Sequence, residues 1–126
     1  MRIENLTHSF QQGLQDAQSL AVQSDHPQIE AAHLLFTMLN QASSSVAAIY
    51  GLAEVDVGQL KNHCEKLIDD LPRLQSASGE VSVSPALNAL LNRCQKLSHQ
   101  WQDQFIASET FALAVLDETG ELGKVI

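Results

Sequence analysis

Basic residues are scarce in this sequence. Seven Lys and Arg stand against fifteen Asp and Glu, a formal net charge of −8. The seven (Arg2, Lys61, Lys66, Arg73, Arg93, Lys96 and Lys124) are scattered. No stripe of them can neutralise a row of phosphates, which argues against a nucleic-acid partner. An acidic surface instead keeps a small domain soluble and leaves protein or peptide partners open. Long apolar runs are also missing. None approaches the roughly 18–20 residues that a membrane span needs, so no membrane partner is expected. The start, Met1-Arg2-Ile3-Glu4-Asn5, lacks the basic-then-apolar pattern of a signal peptide, and the expected location is the cytoplasm. There are two cysteines, Cys64 and Cys94, far apart in sequence and both on apolar helix faces. They read as small buried hydrophobes, with no disulfide between them. Aromatics make up only 5 % while Ala, Leu and Gln are plentiful, which favours helix over strand. At 126 residues the chain makes one domain, large enough to bury a core without staples.

Catalytic equipment is lacking too. The one Gly-Lys pair, Gly123-Lys124, is followed by Val125, and Glu118 stands where a phosphate-cradling loop needs its first glycine. His8, His26, His33, His63 and His99 form no i, i+4 pair, and neither cysteine has a neighbour at metal-ligand spacing. The histidines read as solvated or core-edge. A Cys–His nucleophile is disfavoured because an apolar face raises a thiol's pKa. The chain is therefore expected to be non-enzymatic and to hold no metal or cofactor.

What is present is a duplication. Adding 77 carries Ile29–Leu39 onto Ile106–Leu116, Phe10 onto Leu87, Leu14 onto Leu91, Ala17 onto Cys94 and Thr7 onto Ser84. The register runs without a gap from Thr7/Ser84 to Leu39/Leu116. It contains six identities, but the apolar positions agree far better. That is how a unit kept for packing drifts. The spacing predicts an all-α domain of two repeats: the first about 5–71, a linker about 72–83, the second about 84–126.

Along the chain, Thr7 is an N-cap for a first helix whose stripe is Leu6, Phe10, Leu14, Ala17 and Ala21, ended by Asp25-His26-Pro27. A second helix covers roughly Ala31–Gln41. Ser45 caps a short helix, Val46–Tyr50, which Gly51 stops. Asp56 caps a fourth helix carrying Leu60, Cys64, Leu67, Ile68 and Leu71. Pro72–Val83 reads as a loop. Ser84-Pro85 is the strongest helix start, opening a stripe of Leu87, Leu90, Leu91, Cys94, Leu97 and Trp101. Gln102-Asp103-Gln104 is a loop. Ser108-Glu109 opens the sixth helix with a carboxylate in its first turn, and Gly120 breaks it. Leu122–Ile126 matches Val46–Tyr50 after a one-residue adjustment, with no counterpart of the fourth helix. Either the duplication is incomplete or this is part of a longer polypeptide. A two-fold packing of the copies would bring Thr7, Asp103 and Glu109 together as a polar trio, although each is also explained as a cap or a solvated loop residue.

Leu6-Thr7, Asp16–Ala21, Ile29-Glu30, His33-Leu34, Leu39–Gln41, Gly58–Leu60, Leu71-Pro72 and Phe105-Ile106 resemble the N-terminal domain of the ClpB disaggregase, over the whole chain in one register. The resemblance implies a flexibly tethered domain preceding two ATPase rings in each subunit of a hexamer. It would contact unfolded or aggregated protein, directly or through an adaptor, and hand it toward the pore. ATP and magnesium would belong only to the downstream rings, and the isolated domain would be monomeric. It carries substrate handling over to Thr7, Asp103 and Glu109. Positions 93 and 110 can be leucine in that family, lining an apolar groove. Here they are Arg93 and Thr110, and a proline that often follows Ile-Glu is Ala31. The groove is then expected to be smaller or more polar, with Leu90, Leu91 and Leu97 as its remainder, as in a divergent paralogue with fewer clients. Related domains of the ClpC type recognise phosphoarginine through a glutamate in each repeat. Here the pair is Ala32 and Glu109, so half of that site is missing and the activity is not expected. The alternatives are a stand-alone module that docks one amphipathic peptide or adaptor, and a small hydrolase using Cys94 or Cys64.

Overall fold

The computed structural model describes residues 6–41, 45–71, 82–100 and 106–116. These form six helices: α1 (His8–Gln23), α2 (Ala31–Leu39), α3 (Ser45–Leu52), α4 (Val57–Asp69), α5 (Pro85–Gln100) and α6 (Ser108–Leu116). Both ends of α1 map onto both ends of α5 under the 77-residue shift, and α2 maps onto α6 in the same way. The caps correspond as well. The Phe10 N–H donates to the Thr7 hydroxyl at 3.3 Å, and its mate, the Leu87 N–H, donates to the Ser84 hydroxyl at 3.1 Å. Asp56 caps α4 by accepting from the Gln59 N–H at 3.1 Å.

The two copies grip each other reciprocally. Leu6 pairs with Ile106 in a parallel bridge, and the Thr7 N–H donates to the Ile106 carbonyl at 2.9 Å. On the other side Ile29 pairs with Val83, and the Ser84 N–H donates to the Ile29 carbonyl at 3.0 Å. Each bond is the other's mate under the same shift, as a two-fold relation between the repeats requires. The second pairing widens into two short parallel strands, β1 (Gln28–Ile29) and β2 (Ser82–Val83). Val83, expected at the end of a loop, is therefore in a strand.

Helix α1 packs on α2, and α5 on α6. Helix α4 covers α2, whereas α3 crosses to the other repeat and lies on α6. There the Tyr50 hydroxyl donates to the Ala112 carbonyl at 2.8 Å. In the core, Phe10 of the first repeat meets Phe111 of the second edge to face, ring centroids 6.0 Å apart. Their mates, Leu87 and Leu34, are also fully buried, so each copy supplies one large ring where the other supplies leucine. At Gly13 a Cβ would stand 3.1 Å from Met38 Cγ, and the Thr37 hydroxyl donates to the Gly13 carbonyl at 3.0 Å. Glycine there lets α1 and α2 approach closely.

Three boundaries differ from expectation. Helix α2 ends at Leu39 rather than Gln41. Gly51 does not stop α3, which runs to Leu52. The stop is Glu54, with φ 63°. The Glu54 N–H donates to the Gly51 carbonyl and the Val55 N–H to that of Tyr50, the paired bonds of a Schellman motif. Asp25, with φ 58°, ends α1 identically through Asp25 N–H to Val22 and His26 N–H to Ala21. Ser45 lies within α3 rather than before it. Trp101, Gln102-Asp103-Gln104, Gly120 and Leu122–Ile126 lie outside the described residues, as does the rest of the expected linker, 72–81.

Candidate functional site

The start of α1 stands beside the start of α6 because Leu6-Thr7 pairs with Ile106. Thr7 is half-buried, its N–H held by the Ile106 carbonyl and its hydroxyl engaged by the Phe10 N–H. Two residues beyond Ile106, α6 begins. The Thr110 N–H donates to the Ala107 carbonyl at 3.0 Å, which leaves Ser108 and Glu109 in the first turn. First-turn N–H groups have no intrahelical acceptor, and Glu109, half-buried, sits where the helix dipole favours a carboxylate. Beside it the Ser108 hydroxyl is buried with no partner among the described residues. Thr7 is thus bonded to the chain two residues before the helix whose first turn carries Glu109. Asp103, the third member of the expected trio, lies outside the described residues.

Among the described residues, those expected to line an apolar groove are largely enclosed. Leu90 and Leu91 are 5 % and 6 % exposed and belong to the core, and Leu97 is partly buried against it. Helix α5 presents Leu87, Leu90, Leu91 and Cys94 on one stripe, and the stripe faces inward because the second repeat needs it to close its own core. Thr110 is buried in α6, while Arg93 is exposed on α5, so the two do not share an accessible surface. Ala32, the mate of Glu109, is buried, so the first repeat offers no equivalent carboxylate.

The remaining reactive groups are withdrawn. Cys64 and Cys94 are free and buried, and burial pushes both thiols up to about 12. A thiol held so far from ionisation is a poor nucleophile at neutral pH. Among the described residues no group of three or more His, Cys, Asp or Glu is placed to hold a metal ion, and no helix is long and apolar enough to cross a membrane.

One arrangement was not legible in the sequence. His26 and His33 are fully buried, with His26 Nδ1 2.9 Å from His33 Nε2, and the Glu30 N–H donates to His33 Nδ1 at 2.8 Å. The seven-residue spacing matches no ligand or catalytic pattern. The available signal was the position of His33 three residues after Glu30, where a side chain commonly reaches back to an N-cap N–H.

Two mated copies of a helical unit, with no catalytic grouping among the described residues, define a duplicated all-α domain. The chain belongs to the Clp repeat (R) N-terminal domain family, whose model matches residues 5–126. Such domains stand at the N-terminus of ClpB-, Hsp104- and ClpV-type AAA+ ATPases and are not themselves catalytic. Over its whole length the chain is 42 % identical to chaperone protein ClpB of Pseudomonas putida, and over 99 % of it 37 % identical to that of Vibrio vulnificus. It spans only 15 % of the length of each. Among solved structures it resembles the Hsp104 N-terminal domain from Candida albicans, with TM-score 0.84 and 17 % identity over 96 % of this chain and 79 % of that one. It also resembles the N-terminal domain of the ClpV1 ATPase from Escherichia coli, with TM-score 0.83 and 20 % identity over 98 % and 72 %. At those identities the likeness concerns the fold.

Proposed function

We propose that this domain binds segments of unfolded or aggregated protein, or an adaptor bearing them, and delivers them to the ATPase rings of a ClpB-like chaperone. ATP and magnesium act in those rings. The binding surface is the face where the start of α1 adjoins the start of α6, with Thr7 and Glu109 as its polar members.

The observation that carries this reading is the Thr7 N–H to Ile106 carbonyl bond. It holds two helix starts together and leaves Thr7 and Glu109 half-buried, within reach of a ligand. First-turn N–H groups donate and the Glu109 carboxylate accepts, so an extended backbone finds both complements there. Such recognition reads the peptide group rather than a sequence, which suits a receptor for many unfolded clients. With Leu90 and Leu91 enclosed, apolar contact contributes little and one domain binds weakly. Six domains on a hexamer recover affinity through effective concentration.

The test is fluorescence anisotropy of a dye-labelled, reduced and alkylated lactalbumin titrated with this domain. Glu109→Gln removes the charge at the proposed surface, and Glu65→Gln removes an exposed charge on α4. Glu109→Gln is expected to weaken binding by about fivefold, about 1 kcal/mol for a partly exposed charged hydrogen bond, and Glu65→Gln to leave it unchanged. Equal affinity of both variants and the parent would refute the assignment.

A further inference from the structure

We propose that His26 and His33 form a proton-sensitive latch that closes the α1–β1–α2 corner only while both rings are neutral, so that acid releases β1 from β2 and frees one of the two seams between the repeats. The argument is one of hydrogen-bond direction. The Glu30 N–H can only donate, so His33 Nδ1, 2.8 Å away, carries no proton. In the neutral ring the proton is then on Nε2, and it points at His26 Nδ1, 2.9 Å away, which must accept. Every proton position in this relay is fixed. A proton added at His33 Nδ1 meets the Glu30 N–H donor to donor. A proton added at His26 Nδ1 meets the His33 Nε2–H, and moving that proton to Nδ1 returns the first conflict. No protonated form keeps both bonds.

Both rings are fully enclosed. Asp25 and Glu30 flank the pair in the chain. The other charged or titratable groups on elements packed against α2 are His8 and Asp16 on α1, Glu54 after α3, Lys61, His63, Glu65, Lys66 and Asp69 on α4, and Arg93, Lys96 and His99 on α5. All are exposed except the half-buried Lys61 and His63, and the buried Tyr50, Cys64 and Cys94 are held neutral. Burial first, and then the neighbouring His26, lower His33 to about 4, outweighing the Glu30 backbone hydrogen bond, which raises it.

The corner matters because of what hangs from it. His26 is two residues from β1, and Glu30 follows it directly. The β1 carbonyl of Ile29 holds the Ser84 N–H. Its mate, the Thr7 N–H on the Ile106 carbonyl, sits at the opposite seam, where Thr110 stands at the position equivalent to His33. One fold therefore contains a seam with a buried histidine pair and an equivalent seam without one.

The experiment is amide hydrogen exchange by NMR, expressed as protection factors, at about pH 7.5 and about pH 5. With His33 near 4 in the closed corner and 6.5 when opened, protection at Ser84 and Glu30 is expected to fall about 30-fold, with Thr7 holding within about twofold. Equal loss at Thr7 and Ser84, or none at either, would overturn the proposal. His33→Gln keeps an acceptor for the Glu30 N–H but does not titrate. It is expected to abolish the pH dependence at Ser84, and full retention would overturn the proposal. Should that variant fail to fold, ring ¹⁵N spectra of the parent decide. At about pH 6 His33 is expected to show an unprotonated Nδ1 and a protonated Nε2, and an imidazolium there would overturn the latch.

Discussion

The edge-to-face contact of Phe10 with Phe111 joins the first repeat to the second through the middle of the core, so its strength measures how far the copies fold as one unit. Replacing either ring by leucine gives that position the residue its mate already has, at Leu87 or Leu34. Both rings are fully buried, so each substitution removes apolar area and leaves a small cavity, costing about 1–1.5 kcal/mol. The ring pair adds a coupling of about 0.5–1.5 kcal/mol beyond the area lost. Phe10→Leu and Phe111→Leu together should therefore destabilise by less than the sum of the two alone, with the difference equal to that coupling. Urea unfolding followed by circular dichroism, at constant m, reads all four corners of the cycle. In a domain of this size each kcal/mol also lowers Tm by about 4 °C. A coupling below about 0.3 kcal/mol would mean that the two rings do not meet and that the repeats are mated differently.

Asp25→Gly and Glu54→Gly relieve left-handed backbone at φ 58° and 63°, and each should raise stability by about 0.5–1 kcal/mol in the same urea assay. Tyr50→Phe deletes the bond from α3 to the Ala112 carbonyl and should cost about 1 kcal/mol, with faster exchange in α6 as its local sign. His33 is lowered from 6.5 to about 4 in the folded state, so the unfolded chain takes up its proton first as pH falls. Stability is then complete above about pH 6.5 and declines by about 3 kcal/mol on acidification to about pH 4, a slope that His33→Gln should flatten. Cys64 and Cys94 should react with a thiol reagent at neutral pH only as fast as the domain opens, so fast labelling of the native state would contradict their burial.

The helices were legible because their signals are local. Thr7, Ser84 and Asp56 announce their caps by side-chain chemistry, and the apolar stripes repeat at helical spacing in both copies. The end of α3 was harder to place, because the residue in left-handed geometry is Glu54 rather than glycine, while Gly51, the visible breaker, is tolerated inside a helix. The short strands β1 and β2 have no periodicity to detect. They exist because the two-fold mating lays Ile29 beside Val83. Burial misled the reading of the apolar groove. Leu90, Leu91 and Leu97 lie on a stripe that could face a ligand or a neighbour, and spacing alone does not distinguish the two. The second repeat needs Leu90 and Leu91 for its own core. The histidine pair was hidden for the opposite reason. Its two members fall on either side of Pro27 and meet only when the chain turns the corner into α2.

The most direct measurement is a chemical-shift titration of the ¹⁵N-labelled domain with a permanently unfolded protein, up to millimolar concentration. The account predicts that saturating shifts concentrate at Thr7, Ala107, Ser108 and Glu109, where the two repeats bring their helix starts together. Shifts confined to α4, or none anywhere at saturation, would contradict it.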